Sequence, residues 1–180
     1  MLHLAAFGGH LQTVQSLIED FGADPKGQKK DGCSVLHSAA QGGHLTTVQS
    51  LIRDFGADPK GQKKDGWSVL HLAAQKGHLS TVQSLIRDFG VDPKGQTNNG
   101  WSVLHSAANG GHLSTVQSLV RDFGADPLSS SRLFGSPLSQ SIDHSVSSFL
   151  LIAEMEIMTS RNQIVQAKRK LLKTLPQVQR

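Results

Sequence analysis

The sequence holds a single cysteine in 180 residues. A disulfide framework within one chain is excluded, which suits a reducing compartment. Long apolar runs are also missing. The longest, Phe149-Leu150-Leu151-Ile152-Ala153, is far short of the ~20 residues a membrane span needs. There is no Asn-x-Ser/Thr sequon, and no basic-then-apolar leader follows Met1. These absences point to a cytoplasmic protein, or more broadly an intracellular one with the nucleus also open to it. The signatures G-x-x-x-x-G-K-[ST], H-E-x-x-H, G-x-S-x-G and C-x-x-C are absent too. The expectation is a non-enzyme without cofactor or metal.

An excess of one charge is lacking over most of the chain. Residues 1–127 carry 11 Lys+Arg against 11 Asp+Glu, while residues 128–180 carry 7 against 3. The net +4 therefore sits in the tail, so the basic pI gives no reason to assign nucleic-acid binding to the main domain.

What is present is repetition. Histidine recurs at 3, 37, 71 and 105, and again at 10, 44, 78 and 112, both with period 34. Residues 31–64 and 65–98 agree at 27 of 34 positions, so they are copies of one unit. Local chemistry divides each unit. Ser34, Ser68 and Ser102 are candidate N-caps. A short Val-Leu-His-x-Ala-Ala helix follows, and Gly43, Gly77 and Gly111 end it. In a second helix, Leu45, Val48, Leu51, Ile52 and Phe55 share one stripe. Gly56 and Asp58-Pro59 stop that helix. Helices this short are marginal alone and gain stability by stacking on the next unit.

These residues resemble the ankyrin repeat, whose signature is Thr-Pro-Leu-His-x-Ala. The matching residues are Ser34-Val35-Leu36-His37-Ser38-Ala39-Ala40, with equivalents at 68–74 and 102–108. Gly-His at 43–44, 77–78 and 111–112 and Gly-Ala-Asp at 22–24, 56–58 and 124–126 match in phase; 90–92 is Gly-Val-Asp. Val stands where the motif has Pro, and the period exceeds the family's by one residue, placed in the Arg-Asp-Phe segment. The resemblance implies an all-α solenoid over residues 1–127, with repeats at about 1–30, 31–64, 65–98 and 99–127. It further implies that His37, His71 and His105 bond backbone groups and tie loop to helix.

Eight histidines in register do not make a metal site, because one per stacked unit gives a row and not a cluster. The loop Asp58–Gly66 fails as a calcium loop, since Lys60 and Gln62 stand where oxygen ligands are required.

The resemblance places recognition of a protein partner on the hairpin tips and the exposed side of the first helix. The tip candidates are Lys30, Asp31 and Cys33, then Lys64, Asp65 and Trp67, then Asn98, Asn99 and Trp101. The helix candidates are Phe7, Gln41, Gln75, Lys76 and Asn109. Trp67 and Trp101 are either interface anchors or covers over a neighbouring hairpin. Cys33 fills the same slot and reads as a surface variant. Phe21, Phe55, Phe89 and Phe123 share one phase of the second helix and read as core.

The repeat pattern ends at Leu128. Residues 128–147 are Ser-rich and read as a flexible linker, with Ser136-Pro137 fitting a common phosphorylation dipeptide. From Ser148 a helix is expected. Leu150, Ile157, Ile164 and Leu171 recur every seven residues, with Ala153, Ser160 and Ala167 three after the first three. The helix either caps the fourth repeat, or binds a partner helix or, through Lys168, Arg169, Lys170 and Lys173, an anionic membrane or nucleic acid, or is a solvated face with no specific role. With no cap visible at Met1, the first repeat reads as part of a longer array or as an end that pairs with another chain. Two functions follow: a protein-interaction module, or a tail-driven association with the repeats as a rigid spacer.

Overall fold

The computed structural model describes residues 1–129 and 135–174, with side chains described through residue 166. The side chains of Lys168, Arg169, Lys170 and Lys173 thus lie outside the described residues. Helices come in antiparallel pairs: α1 (Leu2–Phe7) with α2 (Leu11–Glu19), α3 (Val35–Gly42) with α4 (Leu45–Arg53), α5 (Val69–Gln75) with α6 (Leu79–Arg87), and α7 (Val103–Asn109) with α8 (Leu113–Arg121). A short α9 (Pro137–Gln140) and a long α10 (His144–Thr174) follow. First helices stack in the row α1, α3, α5, α7, α9, and second helices in the row α2, α4, α6, α8, α10. The described chain is an all-α solenoid.

Local chemistry sets these bounds. Each of Ser34, Ser68 and Ser102 accepts the backbone N–H of the histidine three residues on, and that imidazole accepts the serine N–H in return. Two orphan donors at each helix start are satisfied this way. Each first helix ends in a left-handed turn at Gly43, Gly77 or Gly111. Glycine at 43 and 77 is required twice over. The φ is positive, and an added Cβ would collide with the imidazole of His78 or His112 in the following unit. The Gly-His pair is therefore an inter-repeat contact, with Nε2 of His78 and His112 each 3.0 Å from the carbonyls of Gln41 and Gln75.

Between the helix rows lie the alanines of the first helices and a column of fully buried Val14, Val48, Val82 and Val116. Leu51, Leu85 and Leu119 form a parallel column, also fully buried. The phenylalanines differ from expectation. Phe21 is 77% exposed, and Phe55, Phe89 and Phe123 are half-buried at the core's margin. Phe89 and Phe123, together with Phe149 of α10, serve as cation platforms. Arg53 lies 5.4 Å from the Phe89 ring centre, Arg87 5.3 Å from Phe123 and Arg121 5.0 Å from Phe149. The residue in phase for Phe55 is Glu19. Glu19→Arg should complete the row and raise stability by about 0.5–1 kcal/mol, measured as a shift in urea midpoint. An unchanged or lowered midpoint would show that the stacked arginines contribute nothing.

The stacking does not stop where the sequence pattern stops. His105 Nε2 bonds the carbonyl of Gly135 at 2.9 Å, 30 residues ahead, as His37 and His71 bond the carbonyls of Trp67 and Trp101. Ser136-Pro137-Leu138 then opens α9, which packs on α7. The segment 128–147, expected as a flexible linker, thus holds a helical turn and the start of α10, which begins at His144, ahead of the expected Ser148. Val146, Leu150 and Ala153 are buried against the fourth repeat. A reduced fifth unit covers that repeat, and the Leu150/Ile157 row serves as its inner face.

Candidate interaction surface

The loops between units form one connected edge. Each closes a tight turn with an isolated bridge: Gln28 to Ser34, Gln62 to Ser68, Gln96 to Ser102. Neighbouring turns are then bonded through the backbone. The N–H of Lys64 donates to the carbonyl of Asp31 at 3.0 Å, and that of Asn98 to Asp65 at 3.2 Å. The Asn98 amide adds a bond to the Lys64 carbonyl at 2.9 Å. Lys63 sits between two turns, 3.4 Å from Asp31 and 3.5 Å from Asp65. Backbone N–H donation from Cys33, with lesser help from Lys63, holds the Asp31 carboxyl below its usual range.

Beneath this edge run the histidines. Ser68 Oγ lies 2.7 Å from His71 Nδ1, and His71 Nε2 lies 3.1 Å from the Trp101 carbonyl. The Ser68 N–H points at Nδ1, which makes Nδ1 an acceptor and Nε2 the donor. The neutral ring is thus fully used, joining its own cap to the next unit. Burial pushes the His71 pKa down to about 4, and His37 and His105 down likewise.

The tip candidates separate into two groups. Lys30, Asp31, Lys64, Asp65, Asn98 and Asn99 are exposed along the edge, as are Phe7 and Lys76 on the first helices. Gln41, Gln75 and Asn109 are half-buried beside them. Cys33 departs from its expected surface position. It is only 8% exposed, with Sγ 3.9 Å from Ser38 Oγ inside its own unit. The tryptophans lie between the groups. Both are half-buried, with rings packed 5.7 Å from His71 and 5.3 Å from His105, and Trp101 Nε1 donates to Ser106 Oγ at 3.0 Å. Each indole packs against the histidine of its own unit.

Concavities elsewhere repeat in phase. Crevices of about 190 and 180 Å³ lie between successive turns, lined by Lys26, Gln28 and Asp58 in one case and Lys60, Gln62 and Asp92 in the next. A crevice recurring with every unit is a by-product of stacking and assembles no unique constellation. Among the described residues no three His, Cys, Asp or Glu side chains gather as metal ligands. Among them, too, no helix is long and apolar enough to cross a membrane.

A family model described as ankyrin repeats (3 copies) matches residues 2–97 and again 43–131. A search of curated proteins finds no match. The family match spans well over half of the chain and coincides with the stacked pairs, their Ser-His caps and their bonded turns. The chain belongs to the ankyrin-repeat family, whose members generally serve as protein–protein interaction modules.

Proposed function

We infer that this protein is a non-enzymatic interaction module that grips a protein partner along the edge formed by the turns and the exposed side of the first helices. The observation that carries this reading is where the units differ. Most packing residues repeat from unit to unit, although buried Leu72 is in phase with Ser38 and Ser106, and buried Val91 with Ala57 and Ala125. At the exposed edge Lys64-Asp65 becomes Asn98-Asn99, and Lys76 faces glycines at 42 and 110. A rigid row of turns presenting a changing set of charged and amide groups suits recognition of one extended surface. Rigidity also lowers the ordering cost of binding.

The contact set favoured here is Phe7, Lys30, Asp31, Lys64, Asp65, Lys76, Asn98 and Asn99, with Gln41, Gln75 and Asn109 beside it. Trp67 and Trp101 contribute their exposed ring edges. Cys33, being enclosed, leaves the set.

The test uses the full chain as bait with Lys64→Ala, Asp65→Ala and Lys76→Ala combined, against a second bait with Lys168, Arg169, Lys170 and Lys173 all changed to Ala. The edge variant should lose the captured partner and the tail variant should keep it. Capture that follows the tail and falls steeply with ionic strength would assign the repeats a spacer role instead.

A further inference from the structure

We propose that α10 carries a self-association seam, and that this protein pairs with a second copy of itself through a parallel, in-register contact along Leu151, Met155, Met158, Asn162 and Val165. The seam is separate from the turn edge, since α10 stacks on the opposite end of the row of second helices from α2.

The seam is an exposed apolar stripe. Leu151, Met155, Met158 and Val165 are 45–62% exposed; Ile152 and Ile164 are exposed as well but lie off this row. From Met158 to Gln166 every described residue is exposed, so the helix runs clear of the repeats there. Apolar side chains gathered on one helix face mark an interaction surface. The face that covers the fourth repeat is a different one, made by Val146, Leu150 and Ala153.

Spacing identifies the occupant as a helix. The five stripe residues follow one another at offsets of 4, 3, 4 and 3. On a straight helix these offsets hold the five residues within an arc of about 80°, and the same alternation of 4 and 3 is the spacing of a coiled-coil seam. A flat lipid surface selects the broader arc of a 3.6-residue period and a basic polar face. Between 151 and 165 the stripe has no charge, so a copy laid alongside in register meets no like-charge repulsion. Asn162 falls at a single core position in the middle, where it faces its own counterpart across a two-fold axis. A lone core asparagine fixes register and limits the assembly to two strands. The next step in the same spacing is Arg169, a charge, which sets the end of the seam. The first half of the seam is already held helical by contacts with α8 and α9, so pairing carries little nucleation cost.

Sedimentation equilibrium of the full chain, from about 1 to about 100 µM, tests this. The average mass should climb from 19.3 kDa toward twice that value as concentration rises. Met158→Lys should weaken association roughly tenfold or more, with the far-UV helicity of the parent, since Met158 is 55% exposed and supports no internal packing. Ser160→Lys, on the other side of the helix, should leave pairing intact. Asn162→Leu should tighten association and admit species larger than two. A constant 19.3 kDa across the range would overturn the proposal. So would pairing indifferent to Met158→Lys, or a monomer that instead binds vesicles of equal phosphatidylcholine and phosphatidylserine through the same stripe.

Discussion

Leu85→Ala should lower the unfolding free energy by about 3 kcal/mol, the middle of the range for a fully enclosed leucine whose site cannot collapse. Leu85 is wholly buried in α6, with α4 on one side and α8 on the other. Removing its branched end leaves a void lined by residues of three units. The void loosens two interfaces, and in a stack of this kind stability is close to a sum of unit and nearest-neighbour terms. Leu17 is the same side chain in the same phase of α2, but it is only half-buried. Leu17→Ala should therefore cost less, about 1 kcal/mol. Urea unfolding followed by circular dichroism gives both numbers. Equal losses would mean that the central interface is no stronger than the end.

Acid should unfold the protein through its buried histidines. His71 holds a neutral ring between a serine cap and the Trp101 carbonyl, with its pKa lowered to about 4 by burial. In the unfolded chain the ordinary value near 6.5 returns. The unfolded state then binds more protons between these limits, so stability falls as the pH drops. The contribution is whole above pH 6.5 and lost by about pH 4, amounting to about 3 kcal/mol for this one group. His37 and His105 shift in the same direction for the same reason. Glu154 works the other way. Burial beside Asp126 raises its pKa, so protonation on acidification favours the fold there. Three histidines outweigh one half-buried carboxyl, and the melting temperature should drop steeply between pH 6.5 and 4.5. His71→Asn should be less stable at pH 7.5 and should show a shallower slope. A melting temperature flat to pH 4.5 would mean the rings are charged in the folded protein.

Much of this architecture was legible in the residues because the period is strict. Two histidines and a turn glycine per 34 residues, with a cap serine from the second unit on, place every helix of the first four units. The fifth unit was hidden by its chemistry. Ser136-Pro137-Leu138 stands 34 residues after Ser102-Val103-Leu104, but Ser139 replaces the histidine, and the surrounding serines suggest a tether. Only the shape of the stack shows Gly135 accepting the bond from His105. Cys33 and the tryptophans were placed correctly at the turns, but their side chains turn inward, a matter of rotamer that spacing does not encode. Phe21 was misjudged because a helical stripe specifies a direction and not a neighbour. On α10 the seven-residue row through Leu150 turns inward only as far as Ile157, and Ile164 on the same row is exposed. The row beginning one residue later, at Leu151, stays bare.

The bonds between units share one property. His to carbonyl spans 30 residues, turn to turn 33, Gln49 to Ser84 35, His78 to Gln41 37 and Thr81 to Gly43 38. Each reaches one unit along and no further. Excising residues 65–98 would bring Lys64 up to Asn99, with Trp101 falling where Trp67 stood, its carbonyl in reach of His37. The number of units is thus a quantity the architecture leaves free, and the span offered to a partner can lengthen or shorten by whole steps while each junction keeps its chemistry.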